Sequence, residues 1–253
     1  MTTVIARSSE SQHWYTRGGN PQYTVTAKDG SQRNTTLRDA RKLDLIPSVT
    51  TILNIAAKPG LEAWKLNQMM LACMTLTKAS DESEQSYIER VKQDSREHAK
   101  KAAERGTTIH GALESFFEGI TLAEFMEYQI GVSTEMDKLF GPKNWLTERS
   151  FGSNGFGGKV DLMTKEGEGI VVDFKTKEFG PNDKIDAYDE HLMQLSAYRI
   201  GLDIPKARCA NVFVSVTNPG LVKIIEWSQE DLDRGWKMFD ALKTFWQLKN
   251  DHR

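Results

Sequence analysis

The sequence predicts an α/β fold, a mixed central sheet flanked by helices with an N-terminal helical elaboration ahead of it. Three observations carry that expectation. Apolar residues recur at helical spacing from Pro47 to Leu139, and after Pro142 they give way to short β-type runs parted by glycine turns. One helix-type segment then falls between the third and fourth of those runs, and no internal repeat or low-complexity tract interrupts the order.

Taken along the chain, "YTVTAKDGSQRNTTL" alternates around Asp29-Gly30 and predicts a small hairpin feeding a short helix over 37–43. Residues 1–46 read as a decoration and 47–253 as one domain, helical over 47–141 and sheet-built over 142–253. "PSVTTIL" sets Pro47 and Ser48 before an apolar run, a helix-start signal, and Pro59-Gly60 interrupts the helical pattern before "LEAWKLNQMMLACM" resumes it. From 82 to 119 the pattern is helical again; Ile109, Leu113, Phe116 and Phe117 share one face and Gly119 supplies a stop. A further helix fills 122–139. "NWLTERSF", "GFGGKVDLMTK" and "GIVVDFKTK" predict strands, followed by a helix in "HLMQLSAYRIGL", strands in "CANVFVSVT" and "VKIIEW", and a last amphipathic helix.

Composition narrows the function. A chain of 253 residues buries a real core without staples. Its two cysteines, Cys73 and Cys209, match no zinc or redox spacing and read as reduced, buried thiols of a reducing cytoplasm. No apolar run approaches the roughly 18 residues of a membrane span, so a membrane partner is not expected. A formal charge of -2 argues against a uniformly basic surface, although "RNTTLRDARK" and "RVKQDSREHAKKAAER" are locally basic. Each is read as a solvated helix face or as a phosphate-tracking surface.

Chemistry concentrates in "GFGGKVDLMTKEGEGIVVDFKTK". Asp161 closes one apolar run and Asp173 ends the next, so a hairpin brings both carboxylates to one end of a sheet. Lys175 follows Asp173 by two and shares its face. Buried carboxylates are costly unless paired or holding a metal. Two of them offer hard oxygen ligands to Mg²⁺ or Mn²⁺, and a nearby ammonium orients water or stabilises charge growing on a phosphate. The acid-x-Lys triplet alone is weak, since about three such matches are expected by chance in a chain this rich in acids and lysines.

Context adds weight. "GKVD", "DFK" and "QLSAY" resemble the G-x-x-D, [D/E]-x-K and Q-x-x-x-Y signatures of the PD-(D/E)XK nuclease superfamily, in its RecB-like exonuclease branch. "RGTTIHGALE", "PSVTTIL" and "LEAWK" extend the likeness, in order, toward the mitochondrial genome maintenance exonuclease family and its phage-encoded relatives. The first forty-odd residues lie outside it.

The resemblance implies a restriction-endonuclease-like core and a metal-dependent DNA exonuclease working from free ends with single-strand preference, in recombination, repair or replication. A structure-specific endonuclease with the same site, or a DNA-binding recombination factor, are the alternatives. It implies His110, Asp161, Asp173 and the Phe174 carbonyl as ligands of Mg²⁺ or Mn²⁺, with Lys175 positioning or deprotonating water. Glu148 is either outer support for the metals or an edge-strand surface carboxylate. Gln194, Tyr198, Thr176, Thr50, Trp64 and Arg105 are the substrate-side candidates; Gln194 and Tyr198 also suit helix packing, and Trp64 suits a core. DNA, single-stranded or at ends, is the implied partner, with a recombination or replication protein beside it, in the cytoplasm of a bacterial or phage-infected cell. Iron-sulfur relatives use four cysteines; two do not suffice, and no Fe-S cluster is expected.

Overall fold

The computed structural model describes residues 13–252. Its elements run β1 (Trp14–Tyr15), β2 (Thr24–Thr26), β3 (Gln32–Asn34), α1 (Leu37–Leu43), β4 (Ile46–Pro47), α2 (Val49–Leu53), α3 (Pro59–Thr75) and α4 (Glu84–Phe117). A 3₁₀ turn, Ala123–Phe125, leads into α5 (Met126–Phe140). Then come β5 (Leu146–Ser153), β6 (Phe156–Thr164), β7 (Ile170–Lys177), α6 (Asp189–Gly201), β8 (Arg208–Ser215), β9 (Val222–Trp227) and α7 (Gln229–Asn250). The expected hairpin, strands and helices are all there. One local expectation is corrected: Pro59 does not break a helix but opens α3 as its first residue, where a missing N–H costs nothing, and the break lies just ahead of it.

Strands β5 to β9 form one sheet in chain order, antiparallel except for β7 and β8, which run parallel. A parallel step needs a crossover, and α6 supplies it. The sheet is therefore mixed, with helices on both faces. On one side α2, α6 and α7 cover Phe156, Val171 and Cys209, with Leu195 and Phe239 among the helix residues that do so; on the other α4 and α5 cover Leu162, Val172, Phe174 and Val212. The alternation Val171 and Val172 into opposite layers is what a strand buried on both faces must show. Cys209 is buried as expected, whereas Cys73 is exposed on α3, a helix whose only buried residue is Ala72. Among the described residues no helix is long and apolar enough to cross a membrane.

The segment ahead of Pro47 threads into this core. Trp14 is fully buried, edge-on to Trp246 and His252, and β1 pairs with β4.

Strand regularity fails at one place. Val160 and Leu162 share parity on β6 yet pack in opposite layers. On β5, Thr147 bonds Glu118 at the end of α4 (2.8 Å), while Phe151, of the same parity, packs under α6. Both strands roll over at Glu148 and Asp161, which face each other between the pairs Thr147↔Leu162 and Arg149↔Val160. Glu148 takes a left-handed backbone there, φ 50°. Non-glycine residues so held concentrate at functional sites.

Candidate active site

The roll opens a gap in the sheet. The β6–β7 ladder ends at Leu162↔Val172, whereas β7 stays paired with β8 as far as Lys177↔Ser215. Beyond Val172, the β6-side edge of β7 has no strand partner among the described residues, and a side chain fills in: Asp161 Oδ2 accepts the Phe174 N–H at 2.7 Å. The N–H and C=O of one strand residue point the same way, so the Phe174 carbonyl faces the same gap.

Asp173 enters from the α6 side with 3% of its side chain exposed. It accepts from Lys175 Nζ at 2.6 Å and from Asn211 Nδ2 at 2.8 Å. Asn211 is held in turn by Trp227 Nε1 (2.8 Å). Lys175 also donates to Gln194 Oε1 at 3.1 Å, and Gln194 Nε2 donates to the Tyr198 hydroxyl at 2.9 Å. The helical Q-x-x-x-Y spacing is thus a relay, one turn long, that fixes the lysine. Burial, and after it the charge of Asp173, raises the Tyr198 pKa, keeping it a neutral phenol.

His110 reaches in from α4, its Nδ1 3.8 Å from Asp161 Oδ2 and its ring edge-on to Phe174. Burial lowers its pKa, with Lys175 adding to that and Asp173 opposing, so the imidazole keeps a lone pair for ligation. Its approach depends on Gly106, one turn earlier: a Cβ there would lie 2.7 Å from Thr176 Oγ1 on β7. Two further glycines shape the other end. A Cβ on Gly157 would meet the Tyr15 ring at 2.7 Å, and one on Gly158 would meet Phe151 and Tyr198 at 2.8 and 2.9 Å.

The electrostatics are those of a site short of positive charge. Burial first, then the neighbouring charge of Asp173, pushes the Asp161 carboxyl up to about 7, against the pull of Lys175, the Phe174 N–H and Lys159. That burial dominates although 26% of the side chain remains exposed, because protein groups have replaced much of the carboxylate's water. A divalent cation would relieve both costs, and the donor set of two carboxylates, one neutral imidazole and a carbonyl suits Mg²⁺ or Mn²⁺. Among the described residues, however, no three such side chains converge into a ready-made cage, and the Lys175 ammonium occupies the Asp173 carboxylate.

Of the expected residues, the structure gathers His110, Asp161, Asp173, Phe174, Lys175, Gln194 and Tyr198, with Thr176 beneath Gly106. Glu148 faces Asp161 across the strands, but its carboxylate is ion-paired with Lys159. Three candidates stand apart from the hydrogen-bonded network. Arg105 donates to the Val216 carbonyl, Thr50 is exposed with its hydroxyl 3.0 Å from that of Ser48, and Trp64 is half-buried on α3. Sequence reasoning missed Asn211, which a lone asparagine in the apolar run "CANVFVSV" signals. It also missed His191, whose Nδ1 accepts the Tyr188 N–H (3.2 Å) and whose pKa burial and Lys175 lower to about 4. An apolar groove of about 590 Å³ lies beside α7, lined by Pro59, Met193, Leu242 and Phe245 and not by Asp161 or Asp173.

No family model matches this chain, and no curated protein does. Among solved structures the chain is similar to SSO0001, at 15% identity over 72% of this chain and 86% of that one. The TM-score of 0.29 is too low to carry an argument about fold or function.

Proposed function

We propose that this chain is a Mg²⁺- or Mn²⁺-dependent deoxyribonuclease with a PD-(D/E)XK core, acting as an exonuclease on single strands or frayed ends in DNA recombination, repair or replication. The observation that carries it is the meeting of Asp161, Asp173 and Lys175 at a gap between two strands, with His110 brought to 3.8 Å of Asp161 by a helix that a glycine lets close.

In this reading Asp161, Asp173, His110 and the Phe174 carbonyl hold the cation. When bound, it withdraws charge from a phosphate oxygen and lowers the pKa of water. The chain's own groups do the rest. Asn211 and Trp227 lock the Asp173 carboxylate, so the ligand does not have to be ordered during reaction. Lys175, tethered to Gln194, would direct its ammonium to an attacking water and to charge on the scissile phosphate. Tyr198 holds Gln194, and so sets where the ammonium can be. Glu148, kept by Lys159, stands in outer support opposite Asp161.

The helical hairpin of α3 and α4 suits an end-directed enzyme. Helix α4 has 34 residues, about 51 Å, and α3 lies along its first half, tied by Tyr87 to the Cys73 and Leu76 carbonyls. Three of the six lysines and arginines of the basic run on α4 are ion-paired within the hairpin, Arg90 to Glu82, Lys92 to Glu89 and Lys100 to Glu104. Incubation with end-labelled linear and sealed circular DNA, single- and double-stranded, with Mg²⁺ or EDTA, tests the reading. Metal-dependent shortening of linear single strands and survival of the single-stranded circle are expected. Cutting of the circle would favour the endonuclease, and no cleavage of any substrate would refute the proposal.

A further inference from the structure

The aromatic cluster ahead of Pro47 has a feature that packing does not explain. Tyr15 lies over Gly157, where any side chain would collide with its ring. Its hydroxyl hydrogen-bonds that of Tyr23 at 2.5 Å, and the two rings meet edge to face. On Tyr23, in turn, stacks the ring of His13, centroids 4.6 Å apart and 29° from parallel. Tyr15 is buried and belongs to the fold, but Tyr23 is half-buried and His13 exposed. Tyr23 is tied down by its hydroxyl bond to Tyr15 and His13 by its backbone, whose N–H donates to Thr51 Oγ1 (3.1 Å) and whose carbonyl accepts the Ser48 N–H (2.9 Å). An exposed, pre-ordered stack costs little entropy to bind against.

Beside it stands Lys159, 39% exposed and shared with the Glu148 carboxylate, two residues from Gly157 and two from Asp161 on β6. The protein groups packed around the His13 ring, and after them the charge of Lys159, lower its pKa and leave a neutral ring suited to stacking. Along an extended strand Gly157 lies about 13 Å from Asp161. We infer that His13, Tyr23 and Lys159 form a platform for single-stranded nucleic acid, a base stacking on the His13–Tyr23 pair while Lys159 meets a phosphate of the same strand. The inference rests on the nuclease reading for its substrate, and it gives the segment ahead of Pro47 a part in holding that substrate.

The test measures binding of a fluorescent oligodeoxythymidylate in EDTA by anisotropy, with a melting curve for each variant. His13→Ala and Tyr23→Ala should each weaken binding about tenfold, as loss of one base stack does. An abasic oligonucleotide, which keeps the phosphates, should bind wild type and His13→Ala equally. Lys159→Ala should weaken both oligonucleotides. Unchanged affinity in folded His13→Ala and Tyr23→Ala, or an equal loss on abasic DNA, would overturn the platform. Cleavage assayed separately with Mg²⁺ keeps the two ideas apart: active enzyme with indifferent His13 and Tyr23 sinks the platform alone, and base-dependent binding without any cleavage sinks the nuclease alone.

Discussion

Asp161→Asn should make the metal-free protein more stable at neutral pH. The wild-type carboxyl is pushed from 3.8 up to about 7 in the fold, so folding favours its protonated form. A group raised in this way contributes most below its unfolded pKa, and that contribution is lost as pH rises through the folded value. The full linkage is about 4 kcal/mol, three units at about 1.36 each. Because 26% of the side chain is exposed, we take half of that, about 2 kcal/mol. Asparagine keeps an oxygen to accept the Phe174 N–H and never carries the charge. Urea unfolding of both proteins in EDTA should therefore give equal stabilities near pH 4 and an advantage to Asp161→Asn of about 2 kcal/mol near pH 8. Carboxylates that do not interact with Asp161 cancel in that difference. With Mg²⁺ in excess the order should close or reverse, since only the wild type gains binding energy, about 2.7 kcal/mol at a hundredfold over Kd. A gap that does not change with pH, or a variant less stable near pH 8, would refute the reasoning.

Lys175→Ala should abolish cleavage, by about a thousandfold or more, while the circular dichroism spectrum and most DNA affinity persist; near-wild-type rates with Mg²⁺ would remove it from the site. His110→Ala should raise the metal concentration needed for half-maximal rate, and wild type should use Mn²⁺ at least as well as Mg²⁺, checked by titrating each metal against rate. An unchanged requirement would return His110 to a packing role. Gly106→Ala should cost about 1–3 kcal/mol in thermal unfolding and weaken metal use, because α4 must back away from Thr176. Thr176→Ala in the same chain should restore both, and failure to do so would mean that this contact does not set the position of His110.

The elements were legible because their signals are local. Periods of two and 3.6 placed the strands and helices, and the triplet at Asp173 was legible because a strand's alternation sets Lys175 beside it. Helical spacing set Gln194 and Tyr198 on one face and left packing and a substrate-side role both open; their link to Lys175 came from the structure. Features that depend on distant partners escaped. Asn211 stands out as a polar residue in an apolar run, but its partner Asp173 lies 38 residues earlier and the run does not identify it. Gly106 reads as an ordinary helix glycine until β7 lies beneath it. Arg105, basic and beside the histidine motif, looked free to meet DNA, yet a carbonyl 111 residues away takes its guanidinium. The roll at Glu148 and Asp161 leaves no mark in hydrophobic pattern, because the alternation merely changes sides.

The union of the two ends of the described chain governs when this protein can fold during synthesis. Trp14 rests on Trp246 and His252; His252 Nε2 meets the Leu45 carbonyl at 2.7 Å, and Arg41 donates to the carbonyl of Asn250. These contacts span more than 200 residues, and such non-local closures come late because the intervening chain must be ordered first. A nascent chain that has completed the sheet still lacks the cover for its first tryptophan. Until α7 leaves the ribosome, the segment carrying His13 and Tyr15 has only half of its seat, and an exposed indole is a handle for chaperones or for aggregation. The order of translation thus makes α7 the latch on β1.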